Sequence, residues 1–331
     1  MAVNLPPQYH EAEAEYKKGR TPEEKLVGLR KMWVILPKHK ASEKVQVILK
    51  TKISELSDEI EAAKSGPKKV APGTFKIPKQ GAGQIIFLGG PNGGKSSLLR
   101  KLTRATPEVA PYPFTTREPV PGMMDWEDVR LQLIDLPPIT ADFYETYVTD
   151  FTRTADAAAL IVDLGDDDGP FAVETVLEQL KGRKRILVDK PPESDDDPTV
   201  FHVKTVVIAN KIDAEGATDR LDILKEMLGD RFPIHTVSTE KGDGVEGLRK
   251  LFFDRLGLIR VYGKLPGKQA DMTSPFTIPV GGTVMDFAEK VHSELAEGLK
   301  AAKVWGSAQF DGQTVKRDHV LQERDVVELS M

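Results

Sequence analysis

Cysteine is absent from the 331 residues. That excludes a disulfide framework and any thiolate chemistry, and it fits a reducing compartment. No apolar run approaches the ~18 residues of a membrane span, so no membrane partner is expected. The opening MAVNLPPQYHEAEAEY lacks a basic start followed by an apolar stretch, so the expectation is a cytoplasmic chain without a signal peptide. The six histidines (His10, His39, His202, His235, His292 and His319) show no ligand spacing, and no transition-metal site is expected from them. No internal repeat is found.

What is present suits a packed globular protein: 40% apolar and 29% charged residues, with length enough for two or three domains. The net charge of −5 is uneven. Residues 1–80 hold 16 Lys+Arg against 10 Asp+Glu, which leaves −11 on the remainder. A basic arm on an acidic body suits RNA or another polyanion; a solvated helix face with ordinary lysines is the other reading.

Three regions differ in pattern. Residues 1–65 read as a helical hairpin. Thr21–Glu24 (TPEE) forms a capping box ahead of a face of Leu26, Leu29, Trp33 and Leu36, and Pro37 ends that helix. A second stripe follows at Val45, Ile48, Leu49, Ile53, Leu56 and Ile60, and PKHKAS joins the two. Residues 66–82, rich in Gly, Pro and Lys, read as a linker. From 83 to 257, apolar runs at 85–88, 129–134, 157–164, 206–209 and 234–237 alternate with helical patterns, which predicts a mainly parallel sheet with helices on both faces. Met123–Trp126 leads straight into Val129 and predicts an antiparallel hairpin at the sheet's edge. The acidic stretch 193–198 and the run Asp166–Asp168 read as solvated loops. Residues 258–331 read as a small α+β module, with a capping box at Thr283–Asp286 starting a helix near 284–300. Trp305 offers a ring either to stack on a base or to fill the core.

The chemistry concentrates after the first strand, in GGPNGGKS. Gly89, Gly94, Lys95 and Ser96 fit the phosphate-loop pattern, followed by the helix start SLLRKL. Glycines let backbone N–H groups curl round a phosphate, the helix N-terminus adds positive potential, Lys95 reaches the terminal phosphates and Ser96 holds Mg²⁺. The phosphate cradle is assigned to Gly89, Pro91, Asn92, Gly93, Gly94, Lys95, Ser96 and Ser97. The sequence NKID then ends a strand, with Asn210, Lys211 and Asp213; Asp213 stands 118 residues after Lys95. A carboxylate accepts from both the ring N–H and the exocyclic amine of guanine, and adenine offers no such pair. Buried groups built for one partner reject its analogue by up to ~10⁴–10⁵. Ser238 and Thr239, closing the strand PIHTVS, suit a loop whose backbone meets the guanine oxygen. The phosphate loop alone would also serve an ATP-dependent kinase or ATPase.

Taken with PYPFTTREP and DLPP, this set resembles the Obg-related translation-factor GTPases, most of all the developmentally regulated GTP-binding proteins. LIRVYGKLPG, SPFTIPVGGTV and KVWGSAQFDGQ are similar to a TGS domain, a ubiquitin-like β-grasp. The likeness covers about residues 83–331, and the N-terminal hairpin also fits. It implies a P-loop GTPase domain at 83–257 and a TGS domain at 258–331. It further implies GTP and GDP as ligands, Mg²⁺ as cofactor, and a ribosome or structured RNA as partner. By position, Thr116 becomes the switch threonine on Mg²⁺, catalytic together with Lys95. Asp135 becomes the carboxylate that contacts Mg²⁺ through water.

The chain also departs from the pattern. Related GTPases carry Asp-x-x-Gly, and here Pro138 occupies the glycine position. The glycine N–H that senses the γ-phosphate is lost, a hydrogen bond worth ~1.5–3 kcal/mol, which should blunt preference for GTP over GDP. Ile139 follows, where many GTPases place a glutamine that orients water; an apolar residue is shared by the Obg-related families. Slow intrinsic hydrolysis is expected, waiting on a protein activator or a cation. Asn92 is of the type that holds K⁺ in some relatives, or it simply suits a left-handed turn. The small domain that the related branch inserts after Asp-x-x-Gly is missing. The alternative to an enzyme is a scaffold stabilised by guanine nucleotide.

Overall fold

The computed structural model describes residues 6–18, 21–36, 49, 52, 75, 77–103, 118–192, 197 and 199–330. The chain divides into two compact units, residues 1–74 and 75–331.

In the first unit, α1 (Pro7–Lys18) pairs with α2 (Pro22–Ile35). Thr21 caps α2: its hydroxyl accepts from Glu24 N, and the Glu24 carboxylate accepts from Thr21 N. Tyr9, Ala12, Leu29, Met32, Leu36 and Leu49 form the core. Among the described residues, α2 thus packs against the helix before it; the sequence reading expected its partner in the stripe at 45–60. That stripe lies outside the described residues except for Leu49, and its buried side chain joins the same core. The two helices touch closely because Gly28 has no side chain; a Cβ there would meet Tyr16 Cα at 2.8 Å.

The second unit opens with residues 75–82, the end of the stretch read as a linker, laid against the sheet. Phe75 packs edge-on to Tyr147, and Ala82 N donates to Arg130 O. Seven strands follow: β1 (Gln84–Leu88), β2 (Val120–Trp126), β3 (Val129–Asp135), β4 (Ala157–Asp163), β5 (Arg185–Val188), β6 (Phe201–Asn210) and β7 (Ile234–Val237). Their order is β2-β3-β1-β4-β6-β5, with β7 also on β6. Only the β2–β3 pair is antiparallel, as the hairpin in the sequence foretold. Strand β6 serves two partners in turn, β5 along residues 201–204 and β7 along 207–210.

Alternation along β1 divides the core. Ile86 and Leu88 face one side, where α4 (Tyr147–Thr154), α5 (Gly169–Lys181) and α6 (Ala217–Leu228) pack. Ile85 and Phe87 face the other, against α3 (Lys95–Leu102) and α7 (Gly247–Leu256). Strand β5 escaped the sequence reading: RILV is four residues long and sits directly behind the basic turn KGRK. Residues 136–156 between β3 and β4 hold one helix and no inserted domain.

The C-terminal sheet has order β11-β10-β12-β8-β9, from β8 (Leu258–Gly263), β9 (Phe276–Pro279), β10 (Ala301–Trp305), β11 (Gln313–Val315) and β12 (Asp325–Ser330). Helix α8 (Val284–Val291), capped by Thr283 and Asp286, lays Val284, Phe287 and Ala288 on this sheet. The single helix expected near 284–300 is broken at His292, whose backbone is extended, before α9 (Ser293–Gly298). Among the described residues no helix is long and apolar enough to cross a membrane.

Phe252 is fully buried on α7, its ring 5.9 Å from that of Phe87. Phe252→Ala should lose about 3–5 kcal/mol, read as a lower urea midpoint with an unchanged slope.

Candidate nucleotide site

The parallel strands β1, β3, β4 and β6 end side by side, and their C-terminal ends carry the functional residues. Ligands bind at this edge of open α/β sheets. The phosphate loop leaves β1 at Gly89, where φ is +146° and a Cβ would stand 2.3 Å from Ile161 O. It enters α3 at Gly94, where φ is +86° and a Cβ would meet Asn210 Nδ2 at 2.3 Å. Glycine is required at both. Asn92 also has positive φ, +58°, and its side chain is exposed, as are Pro91 and Ser97. Gly93 is buried. No side chain caps α3, so its first amides face the loop cavity without a partner from a cap.

Lys95 is 7% exposed, and its Nζ donates to Gly90 O at 2.7 Å and Gly89 O at 3.3 Å. Burial pulls its pKa down from 10.5 to about 8, against the opposing pull of Asp135. Ser96 Oγ donates to Asp135 Oδ2. Asp135 is 3% exposed, and its other oxygen, Oδ1, is buried without a hydrogen-bond partner. Burial raises the carboxyl's pKa above the ordinary range, with Ser96 and Lys95 opposing. A hydroxyl and an unsatisfied carboxylate oxygen side by side form a hard-oxygen donor set, which fits Mg²⁺. Thr116 lies outside the described residues.

The diproline segment is tied back to the phosphate loop. Ile139 N donates to Gly89 O at 3.1 Å, and the Ile139 side chain is buried in the core among Tyr147 and Val148. It faces the interior.

On the base side, Asn210 Nδ2 donates to Gly93 O at 2.9 Å, and its Oδ1 accepts from Thr239 N at 3.0 Å and Thr239 Oγ1 at 2.8 Å. Lys211, with φ of +64°, reaches Asp163 Oδ2 at 2.6 Å. Asp213 is half-exposed, and a hydrogen bond from Ser238 holds its carboxyl below the ordinary range. The structure thus brings together Asn210, Lys211, Asp213, Ser238 and Thr239. Asp163 was missed: it also accepts from Gly165 N at 2.7 Å. Its signal was available, because it ends a central parallel strand just as Asp135 and Asn210 do.

With this geometry in place, the resemblance to known proteins is informative. Residues 84–193 match a family described as a 50S ribosome-binding GTPase, and residues 259–331 match the TGS domain. A developmentally-regulated GTP-binding protein 1 from Xenopus laevis is 28% identical, over 88% of this chain and 94% of its own. The chain is thus similar to the developmentally regulated GTP-binding proteins, with a GTPase-family segment and a TGS segment in the same order. An uncharacterised GTP-binding protein of Methanocaldococcus jannaschii is also 28% identical, over 88% of both chains. The solved YchF GTPase of Schizosaccharomyces pombe shares the fold, at TM-score 0.52 and 11% identity, over 77% of this chain and all of that one.

The lysine gives this GTPase a pH signature. Folded Lys95 binds its proton less tightly (about 8) than the unfolded chain does (10.5). The unfolded state therefore carries more protons between those values, and this group's contribution to stability rises with pH across that window. Below pH 8 the buried charge is a standing cost. Nucleotide-free Lys95→Met should melt higher than the parent at pH 7, and the gap should close as pH rises from 8 toward 10.5, measured by calorimetry.

Proposed function

We propose that the protein binds guanine nucleotide with Mg²⁺ and hydrolyses GTP to GDP, as a cytoplasmic switch on the ribosome or structured RNA. The observation that carries this is the orphaned Asp135 Oδ1 beside the Ser96 hydroxyl and the buried Lys95 ammonium. A triphosphate with its cation supplies what each lacks. In this reading Gly89, Pro91, Asn92, Gly93, Gly94, Lys95, Ser96 and Ser97 cradle the phosphates. Asp213 accepts from the guanine edge, Ser238 holds Asp213 ready, and Thr239 and Asn210 fix the loop that meets the base oxygen. Ser96, Asp135 and, by resemblance, Thr116 hold Mg²⁺, which neutralises phosphate charge when bound. In this reading the domains run 1–65, 83–257 and 258–331, with 66–82 between the first two and its end, 75–82, laid on the sheet.

In the reaction, water attacks the γ-phosphorus and the bond to the bridging oxygen of GDP breaks, giving GDP and inorganic phosphate. Lys95 stabilises charge on the transferring group. Pro138 has no N–H to offer, and Ile139 is turned into the core. The chain alone therefore orients water poorly, and the rate waits on K⁺ at Asn92 or on a protein activator. The matched family's description as ribosome-binding supports the ribosome as that partner. The buried Ile139 also favours the second reading, a guanine-nucleotide-stabilised scaffold.

Asp213→Asn should weaken GDP binding about 10- to 100-fold and shift preference toward xanthine nucleotide, measured by calorimetry; unchanged guanine affinity defeats the base assignment. Single-turnover hydrolysis in K⁺ and in Na⁺, with and without ribosomes, separates enzyme from scaffold. A rate above background in K⁺ or with ribosomes is expected, and background in every arm makes it a scaffold.

A further inference from the structure

The C-terminal sheet grips the GTPase sheet at the tip of the β2–β3 hairpin. Arg260 on β8 is 3% exposed. Its NH1 reaches Glu127 Oε2 and Asp128 Oδ1, both at 2.6 Å. Its Nε and NH2 reach Glu323 Oε1 at 2.8 and 2.6 Å. The guanidinium lies 4.6 Å from the centre of the Trp126 ring, which stacks on Phe253 at 4.3 Å. The Tyr262 hydroxyl donates to Asp128, and Arg324 reaches Glu127 at 2.7 Å. Three carboxylates thus enclose a buried guanidinium. Burial alone would depress its pKa, but those carboxylates more than offset it.

The hairpin is an unbroken ladder from Val120↔Asp135 to Trp126↔Val129. At ~3.3 Å per residue it spans about 20 Å. Glu127 and Asp128 form one end; Asp135, with its orphaned oxygen, forms the other. A second route leads to the same place. Arg249 on α7 donates through NH1 to Asp125 O in β2 and to Leu102 O at the end of α3, at 3.0 and 2.9 Å. The first turn of α3 carries Lys95 and Ser96. Close-packed elements of this kind pass displacement on instead of absorbing it.

We propose that Arg260 and Tyr262 are positioning residues for the nucleotide site: by holding the hairpin's tip they set where Asp135 stands, so that docking of the C-terminal domain and binding of Mg²⁺–GTP are linked. The linkage rests on the nucleotide-binding reading above. It is reciprocal, since whatever one event does to the other's free energy is returned in equal measure.

Two measurements on the full chain test it. In a variant with Trp33→Phe and Trp305→Phe, Trp126 is the sole indole and sits inside the clasp. Its emission should shift on adding Mg²⁺–GTP. In the parent background, Arg260→Gln should lower the ratio of GTP to GDP affinity in Mg²⁺ by at least about fivefold, and the effect should vanish when Mg²⁺ is chelated. Arg260→Lys should fall between. Tyr262→Phe, which removes one hydroxyl and keeps the ring, should move the ratio the same way and covers the case in which Arg260→Gln misfolds. A clasp that only fastens the domains would lower the melting temperature and leave the ratio unchanged. Calorimetric binding with a silent Trp126 and an unchanged ratio overturns the linkage alone; a parent that binds neither nucleotide overturns the functional reading with it.

Discussion

Asn210 reaches in two directions with one buried carboxamide. Its amino group holds Gly93 O in the phosphate loop, and its oxygen holds Thr239 in the loop after β7. These loops come from opposite ends of the domain's sequence, and a nucleotide must touch both. Gly94 leaves the space through which the amide passes. Removing the carboxamide would strand buried backbone groups on both sides, at ~1–3 kcal/mol each. The spacing of the two loops is thus set by a side chain too short and too enclosed to move.

With that spacing fixed, the phosphate-loop end of the sheet holds two buried groups at odds with their surroundings. Lys95 is pushed toward its neutral form and so is Asp135, because each is taken from water without a full set of partners. A breach of local stability rules at a strand end is a usual mark of a binding site. The nearby carbonyls of Gly89 and Gly90 soften the lysine's position without neutralising it. A ligand that binds only the folded state returns the missing partners as stability, in proportion to its saturation.

Much of this was legible in the chain. The phosphate loop and NKID carry their own spacing, and strand-end polar residues in a parallel sheet have few purposes. The hairpin at the sheet's edge followed from two adjacent strand patterns with a two-residue turn. Strand β5 was not legible, because RILV is too short to show a period and its partner is chosen by tertiary packing. The break at His292 escaped for a related reason: SELAEG continues a helical pattern, and only the extended backbone at 292 separates the two helices. The pairing of α1 with α2 was not legible either, because α1 carries only a weak apolar stripe; the stripe at 45–60 lies outside the described residues apart from Leu49, which joins the same core. Arg260 was invisible. A lone arginine in LIRVYG gives no hint of the carboxylates at 127, 128 and 323 that fold around it, which are separated from it by 133, 132 and 63 residues.

The two rims of the seven-stranded sheet have a quieter consequence. At one, β2 carries Pro121, which offers no amide to a newcomer. The other is shared along β6 by β5 and β7, each only four residues long, and Lys184 stands just ahead of β5. Short, charged or proline-bearing rims are poor templates for strand addition. The sheet therefore terminates itself, and the molecule can stand at high local concentration without zippering rim to rim.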